Sequence, residues 1–147
     1  MNSTLTNFGY PDSLIKSYEY WSILLRPQQV TLGSLILGAH GEFQAFGELP
    51  DQAMIELSKI TRDIENSLNR CFKYDKINYL MLMMVDPHVH FHVFPRFSGT
   101  RDFNGTKLFD HGWPGPPDLG NCNALNEHDL YELNVFIKKH WGLASKC

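Results

Sequence analysis

The residues of this chain best suited to chemistry are His88, His90 and His92, three of its seven histidines. They alternate along Pro87-His88-Val89-His90-Phe91-His92-Val93-Phe94-Pro95-Arg96. Successive side chains of an extended strand point to opposite faces, so the imidazoles line one face and Val89, Phe91 and Val93 the other. At a rise of ~3.3 Å per residue, neighbouring histidines stand about 6.6 Å apart at their Cα atoms. One phosphate or one metal ion could touch two or three of them.

Neutral imidazole is a nucleophile near neutral pH, and its ordinary pKa of ~6.5 lets modest surroundings decide which form is present. An imidazole that attacks phosphorus needs a bare attacking nitrogen, with the other nitrogen donating to a fixed acceptor. A second, charged imidazole nearby would neutralise the phosphoryl oxygens. The pattern therefore suits nucleotidyl or phosphoryl transfer without a metal or other cofactor. Two alternatives stay open on spacing alone. The same three imidazoles could ligate zinc, copper or iron, with Glu42, Glu48 or His111 as a further ligand. Or they could merely decorate an exposed face, which strict alternation of three argues against.

The elements that must position this strand can be read from periodicity. Residues 13 to 18 read as a short turn or helix, leading into a strand over Tyr20 to Leu25. Pro27 biases Arg26 to an extended conformation and cannot donate to a ladder, so Arg26-Pro27-Gln28-Gln29 reads as a connection. Leu32 to Leu37, closed by Gly38, is the returning strand of an antiparallel hairpin. From Asp51 the period changes, with Met54, Leu57, Ile60, Ile64, Leu68 and Phe72 recurring every three or four residues. That predicts an amphipathic helix of about six turns with Asp51 as N-cap. Ile77 to Val85 is nearly continuously apolar, which predicts a strand covered on both faces in the middle of a sheet. The Asp86-Pro87 turn then sends the histidine strand back antiparallel to it. Residues 97 to 124 are rich in Gly and Pro and read as a loop or arm. Asn126 opens a final helix to about 141, with Leu130, Leu133, Ile137 and Trp141 on one stripe. The sum is one α+β domain over residues 1 to 147: a mainly antiparallel sheet of about five strands with a long helix and a C-terminal helix.

A chain of 147 residues, 43% hydrophobic and 20% charged, has the composition of an ordinary globular protein. Its net charge of −3 provides no general basic surface for duplex nucleic acid. Cys71, Cys122 and Cys147 form no C-x-x-C pair, and an odd count is a poor disulfide framework, so a reducing, cytoplasmic setting is expected. Residues 1 to 12 lack the charged start and apolar core of a signal peptide. No apolar run approaches the ~20 residues of a membrane span.

His88-Val89-His90-Phe91-His92-Val93-Phe94 resembles the histidine triad signature of nucleotide hydrolases and transferases, and Pro95-Arg96 continues the likeness. The segments from about 20 to 117 fall in that family's order, nearest its diadenosine polyphosphate hydrolase branch. The resemblance implies a homodimer without a metal cofactor. It would cleave a dinucleoside polyphosphate or nucleoside phosphoramidate at the α-phosphate through a nucleotidyl-histidine. It implies His90 as nucleophile, the carbonyl of His88 holding its far nitrogen, and His92 contacting the phosphate. Arg26, Ser34 and Trp113 are the candidate nucleotide contacts. Three places depart from the family's usual pattern. Met84-Val85-Asp86-Pro87 lacks an amide or hydroxyl residue before the first histidine, Arg26 stands near where Asn or Asp meets the ribose, and Ser34 stands where histidine is frequent. Arginine only donates and cannot take over a carboxylate's acceptor role; a phosphate or acidic leaving group is one partner for it, solvent the other. These departures keep a non-enzymatic nucleotide-binding regulator among the readings, beside a metal-dependent enzyme.

Overall fold

Apolar runs at 21–25 and 35–39 and the alternating strand at 90–96 build the centre of a five-stranded antiparallel sheet in the computed structural model, which describes residues 1–143. Cys147 and the expected domain end at residue 147 lie outside the described residues. The strands are β1 (Leu14–Ser17), β2 (Trp21–Leu25), β3 (Leu35–Ala39), β4 (Lys76–Leu80) and β5 (His90–Arg96), in the order β1-β2-β3-β5-β4. One face carries the main core, where α2 (Asp51–Phe72) and α3 (Glu127–His140) bury Ile60, Ile64, Leu68, Leu133 and Ile137 against Ile23, Leu25, Leu35, Leu37 and Val93. The opposite face carries the histidines and is partly covered by a short helix, α1 (Ser3–Asn7). The architecture is α+β.

Several expected elements differ. Residues 14 to 17 form a strand, not a turn or helix, because Leu14, Lys16 and Ser17 pair with Leu24, Ile23 and Ser22 across a bulge. The second hairpin strand starts at Leu35 rather than Leu32. Gln29, Thr31 and Ser34 hold residues 29–34 in a turn, which Gly33 enters at φ 85°, a backbone conformation costly for other residues. Gly38 lies inside β3 and does not close it. A Cβ there would stand 2.4 Å from Leu5 Cδ2, so any larger residue would push the Leu5 side chain, which seats α1, out of its place. Pro50, not Asp51, is the N-cap of α2, and Asp51 is its first helical residue.

The largest difference concerns Ile77 to Val85. β4 stops at Leu80 and lies at the edge of the sheet, not in its middle. Met83 takes a left-handed backbone at φ 53°, and Met84 and Val85 are exposed. A continuous apolar run is compatible with burial on both faces but does not enforce it. β4 does pair antiparallel with β5, from Lys76 opposite Arg96 to Leu80 opposite His92. The expected arm at 97–124 contains a small hairpin, β6 (Arg101–Phe103) with β7 (Thr106–Leu108).

Candidate functional site

β5 fixes the histidines because its neighbours on both sides are in register with it. His90 lies opposite Gly38, and His92 lies between Ile36 and Leu80. His88 precedes the strand proper and is held through Val89, whose N–H donates to Phe43 O and whose carbonyl accepts from Ala39 N. All three histidines are buried, His90 to 2% exposure and His92 to 8%.

Their cover is α1, a functional element that sequence reasoning missed. Asn2 caps it by accepting from Leu5 N at 3.0 Å, while its amide donates to Ala39 O and Gly41 O. Leu5 packs on Leu24 and Ile36, and Asn7 donates to Asp86 Oδ1 at 3.0 Å. Phe8 then lies across the site, its ring centroid 5.6 Å from that of His90 and edge-on to His92 at 5.9 Å. The signal was present: a capping Asn2 followed by Leu5 and Phe8 three residues apart, on one helical face.

The hydrogen bonds assign the ring protons. His88 N donates to Thr4 Oγ1 at 3.1 Å, and the same hydroxyl lies 2.9 Å from His88 Nδ1. His88 Nε2 lies 2.7 Å from Glu42 Oε2, a carboxylate that only accepts. A neutral His88 is therefore satisfied with its proton on Nε2 and the Thr4 hydroxyl donating to Nδ1. His90 Nδ1 lies 2.7 Å from the carbonyl of His88, which can only accept, so the proton sits on Nδ1. A neutral His90 then carries its lone pair on Nε2, which makes no hydrogen bond among the described residues.

His92 differs from both. Its Nδ1 is buried without a partner among the described residues, and an orphaned N–H there would cost more than an orphaned lone pair. The proton is thus assigned to Nε2, making His92 a donor. Burial, then the neighbouring His90 and Arg26, push its pKa down to about 4. Near neutral pH His92 is therefore a neutral donor rather than a charged imidazole. The folded state binds this proton less readily than the unfolded chain does, so the stability it carries is fully present above pH ~6.5 and is lost as pH falls toward 4. In an NMR titration His92 should stay neutral down to about pH 5. His92→Asn should flatten the loss of stability between pH 6.5 and 4.

The structure brings some of the other candidates to this face and not others. Arg26 is 9% exposed, which removes the alternative of a solvated arginine at a turn. Its guanidinium carbon stands 5.8 Å from the Phe94 ring centroid, and Phe94 in turn stacks on His92 at 6.1 Å. The Ser34 hydroxyl is fully buried and donates to Thr31 O at 2.7 Å, within its own turn. Trp113 lines a separate cavity of about 470 Å³ with Lys76, Asn78, Arg96 and Pro114, at the far end of β5. Of the proposed further metal ligands, Glu42 is bonded to His88, Glu48 lies in the 3-10 turn Phe46–Glu48, and His111 lies against Phe109. Among the described residues, no three His, Cys, Asp or Glu side chains converge on a point where a metal ion could sit.

No helix among the described residues is long and apolar enough to cross a membrane. No protein-family model matches the chain, and no curated protein matches it in sequence. Solved structures do. A histidine triad protein from Sinorhizobium meliloti superposes with a TM-score of 0.74 at 20% identity, over 95% of each chain. One from Marinobacter aquaeolei gives 0.73 at 18% identity, over 95% of this chain and 93% of that one. A zinc-bound histidine triad family protein from Mycobacterium smegmatis gives 0.59 at 15% identity, over 92% and 90%. At such identities the likeness is one of fold, and the fold of this chain is that of the histidine triad proteins.

Proposed function

We propose that this chain is a histidine triad nucleotide hydrolase, acting at the α-phosphate of a dinucleoside polyphosphate or nucleoside phosphoramidate through a nucleotidyl-histidine. One observation carries the reading: His90 Nδ1 is held at 2.7 Å by the carbonyl of His88, leaving Nε2 bare. Nε2 of His90 would attack phosphorus as the bond to the leaving group breaks. His92, neutral and donating from Nε2, would hold a phosphoryl oxygen. Water would then attack phosphorus as the bond to His90 Nε2 breaks and its proton passes to solvent, releasing a nucleoside monophosphate and restoring His90. Trp113, at the Arg96 end of the strand, is the aromatic surface this reading offers to a base or leaving group. A homodimer belongs to the same reading, and sedimentation equilibrium should return twice the chain mass.

Thr4 enters the proposal as a positioning residue, since it bonds His88 on both its backbone N–H and its ring while His88 orients His90. Thr4→Val keeps the shape and removes the hydroxyl. It should cost about 1–3 kcal/mol of stability for the buried groups left unpaired. Turnover should fall about tenfold or more as His90 loses its fixed orientation, read as kcat with little change in KM.

A second reading, a nucleotide-binding regulator without turnover, is favoured by the 2% exposure of His90 beneath Phe8. Assay of adenosine 5′-phosphoramidate and diadenosine tetraphosphate, beside calorimetry with adenosine monophosphate, separates the two. Release of nucleoside monophosphate is the result expected. Binding of the mononucleotide with no turnover of either substrate would favour the regulator.

A further inference from the structure

We propose that Arg26 and the cavity it lines beside His92 form a subsite for a second phosphate of the substrate, one outside the phosphoryl group that His90 attacks. The proposal rests on the hydrolase reading above for the identity of the substrate, but not for the existence of the subsite.

Two arginines are buried on the same face of the sheet. Arg96 is 3% exposed and fully matched: its guanidinium donates to both carboxylate oxygens of Asp110, at 2.7 and 2.9 Å, and to Asn78 Oδ1 at 2.7 Å. Arg26 is 9% exposed and is matched by no carboxylate among the described residues. Among the described residues its side chain makes one bond, from Nη1 to Gln28 O at 2.8 Å, and its buried Nε has no partner. A guanidinium removed from water without a counter-ion is costly, and folds that keep one generally complete it with an anion.

The surroundings are built for that anion. Arg26 opens onto a cavity of about 220 Å³ lined also by Asn7, Phe8, Pro27 and Gln28. Phe8 is shared with the histidine site, since the same ring lies against His90 and His92. Arg26 N donates to Ser34 O, which places Arg26 one row of the sheet beyond Leu24 and Ile36, the row that holds His92. His92 is neutral near pH 7, so the fixed positive charge beside the reacting phosphate is that of Arg26. The planar guanidinium fork matches a phosphate with two parallel N–H donors, which a point charge cannot do. A nucleotide whose leaving half carries further phosphates would place one here. A simple phosphoramidate, whose leaving group is neutral, would leave Arg26 unmatched.

The test compares wild-type protein with Arg26→Met on two substrates and one plain ligand. The substrates are diadenosine tetraphosphate and adenosine 5′-phosphoramidate; the ligand is inorganic tripolyphosphate, titrated by calorimetry. The ratio of kcat/KM between the two substrates should fall about tenfold to a hundredfold in Arg26→Met, and tripolyphosphate affinity by a similar factor. The melting temperature should hold or rise, because an unmatched buried charge is removed. A ratio unchanged to within about twofold, or tripolyphosphate bound equally by both proteins, would overturn the subsite. If wild-type protein turns over neither substrate, the hydrolase reading fails and tripolyphosphate decides alone: Arg26-dependent binding supports the subsite, and equal or absent binding overturns it. Should Arg26→Met not fold, Arg26→Lys takes its place, keeping the charge and losing the fork. A loss of about fivefold or more in tripolyphosphate affinity is then expected, and no change overturns the proposal.

Discussion

His90→Asn should abolish turnover, a fall of about a thousandfold or more, while the protein still folds. Asparagine is the informative substitution because its amide nitrogen occupies the place of Nδ1 and can still donate to the His88 carbonyl. The attacking Nε2 has no counterpart in it. The imidazole is almost fully buried between Phe8 and His92, so the shorter side chain leaves space and costs about 1–2 kcal/mol. That loss should shift the urea midpoint without changing the cooperativity of unfolding. Substantial activity in a well-folded His90→Asn protein would mean that another group performs the attack.

The second large effect concerns stability at the other end of the same strand. Asp110→Ala should cost about 3–5 kcal/mol, which for a chain of this size lowers the melting temperature by roughly 10–15 °C. The Asp110 side chain is 1% exposed and that of Arg96 4%. One carboxylate oxygen accepts from both Arg96 Nε at 2.7 Å and Phe97 N at 3.0 Å, the other from Arg96 Nη2 at 2.9 Å. Removing the carboxylate strands a guanidinium that keeps only its bond to Asn78. Asp110→Asn, which retains volume and an acceptor oxygen, should lose less. Thermal denaturation of the two variants distinguishes this from a surface ion pair, for which both would change stability by no more than about 1 kcal/mol.

These two expectations draw on different depths of sequence information. The alternation at 88–92 announced a histidine face because a strand's period of two is rigid, and the register with Gly38, Ile36 and Leu80 preserves it. The 3.6-residue period of 51–72 was equally legible, since a long amphipathic stripe has few other folds open to it. Ile77 to Val85 was misread because a run without alternation says nothing about which side is covered; Tyr79 is held to Glu65, whereas Met84 and Val85 face outward. Asp110 gave no signal at all. A lone Asp between Phe109 and His111 reads as a loop residue, and only the fold shows that it meets Arg96.

The candidate site is unevenly legible in the sequence in the same way. The bond between His90 and the His88 carbonyl is local, two residues apart, and follows from the strand itself. The bonds that fix His88 come from Thr4 and Glu42, 84 and 46 residues away, and the segment holding Thr4 looked like an unremarkable polar start. Arg26 was legible as an anomaly but not as a buried one. Its environment depends on Phe8 and Phe94, which lie 18 residues before it and 68 residues after it in the sequence.

The central claim, that His90 carries the nucleotidyl group between substrate and water, is tested most directly by trapping that intermediate. Wild-type protein mixed with diadenosine tetraphosphate and quenched during turnover should show, by peptide mass spectrometry, an adenylyl group on His90, and the His90→Asn protein should show none. Turnover with no adduct on any histidine, or an adenylyl group mapped to His88 or His92 instead, would contradict the account.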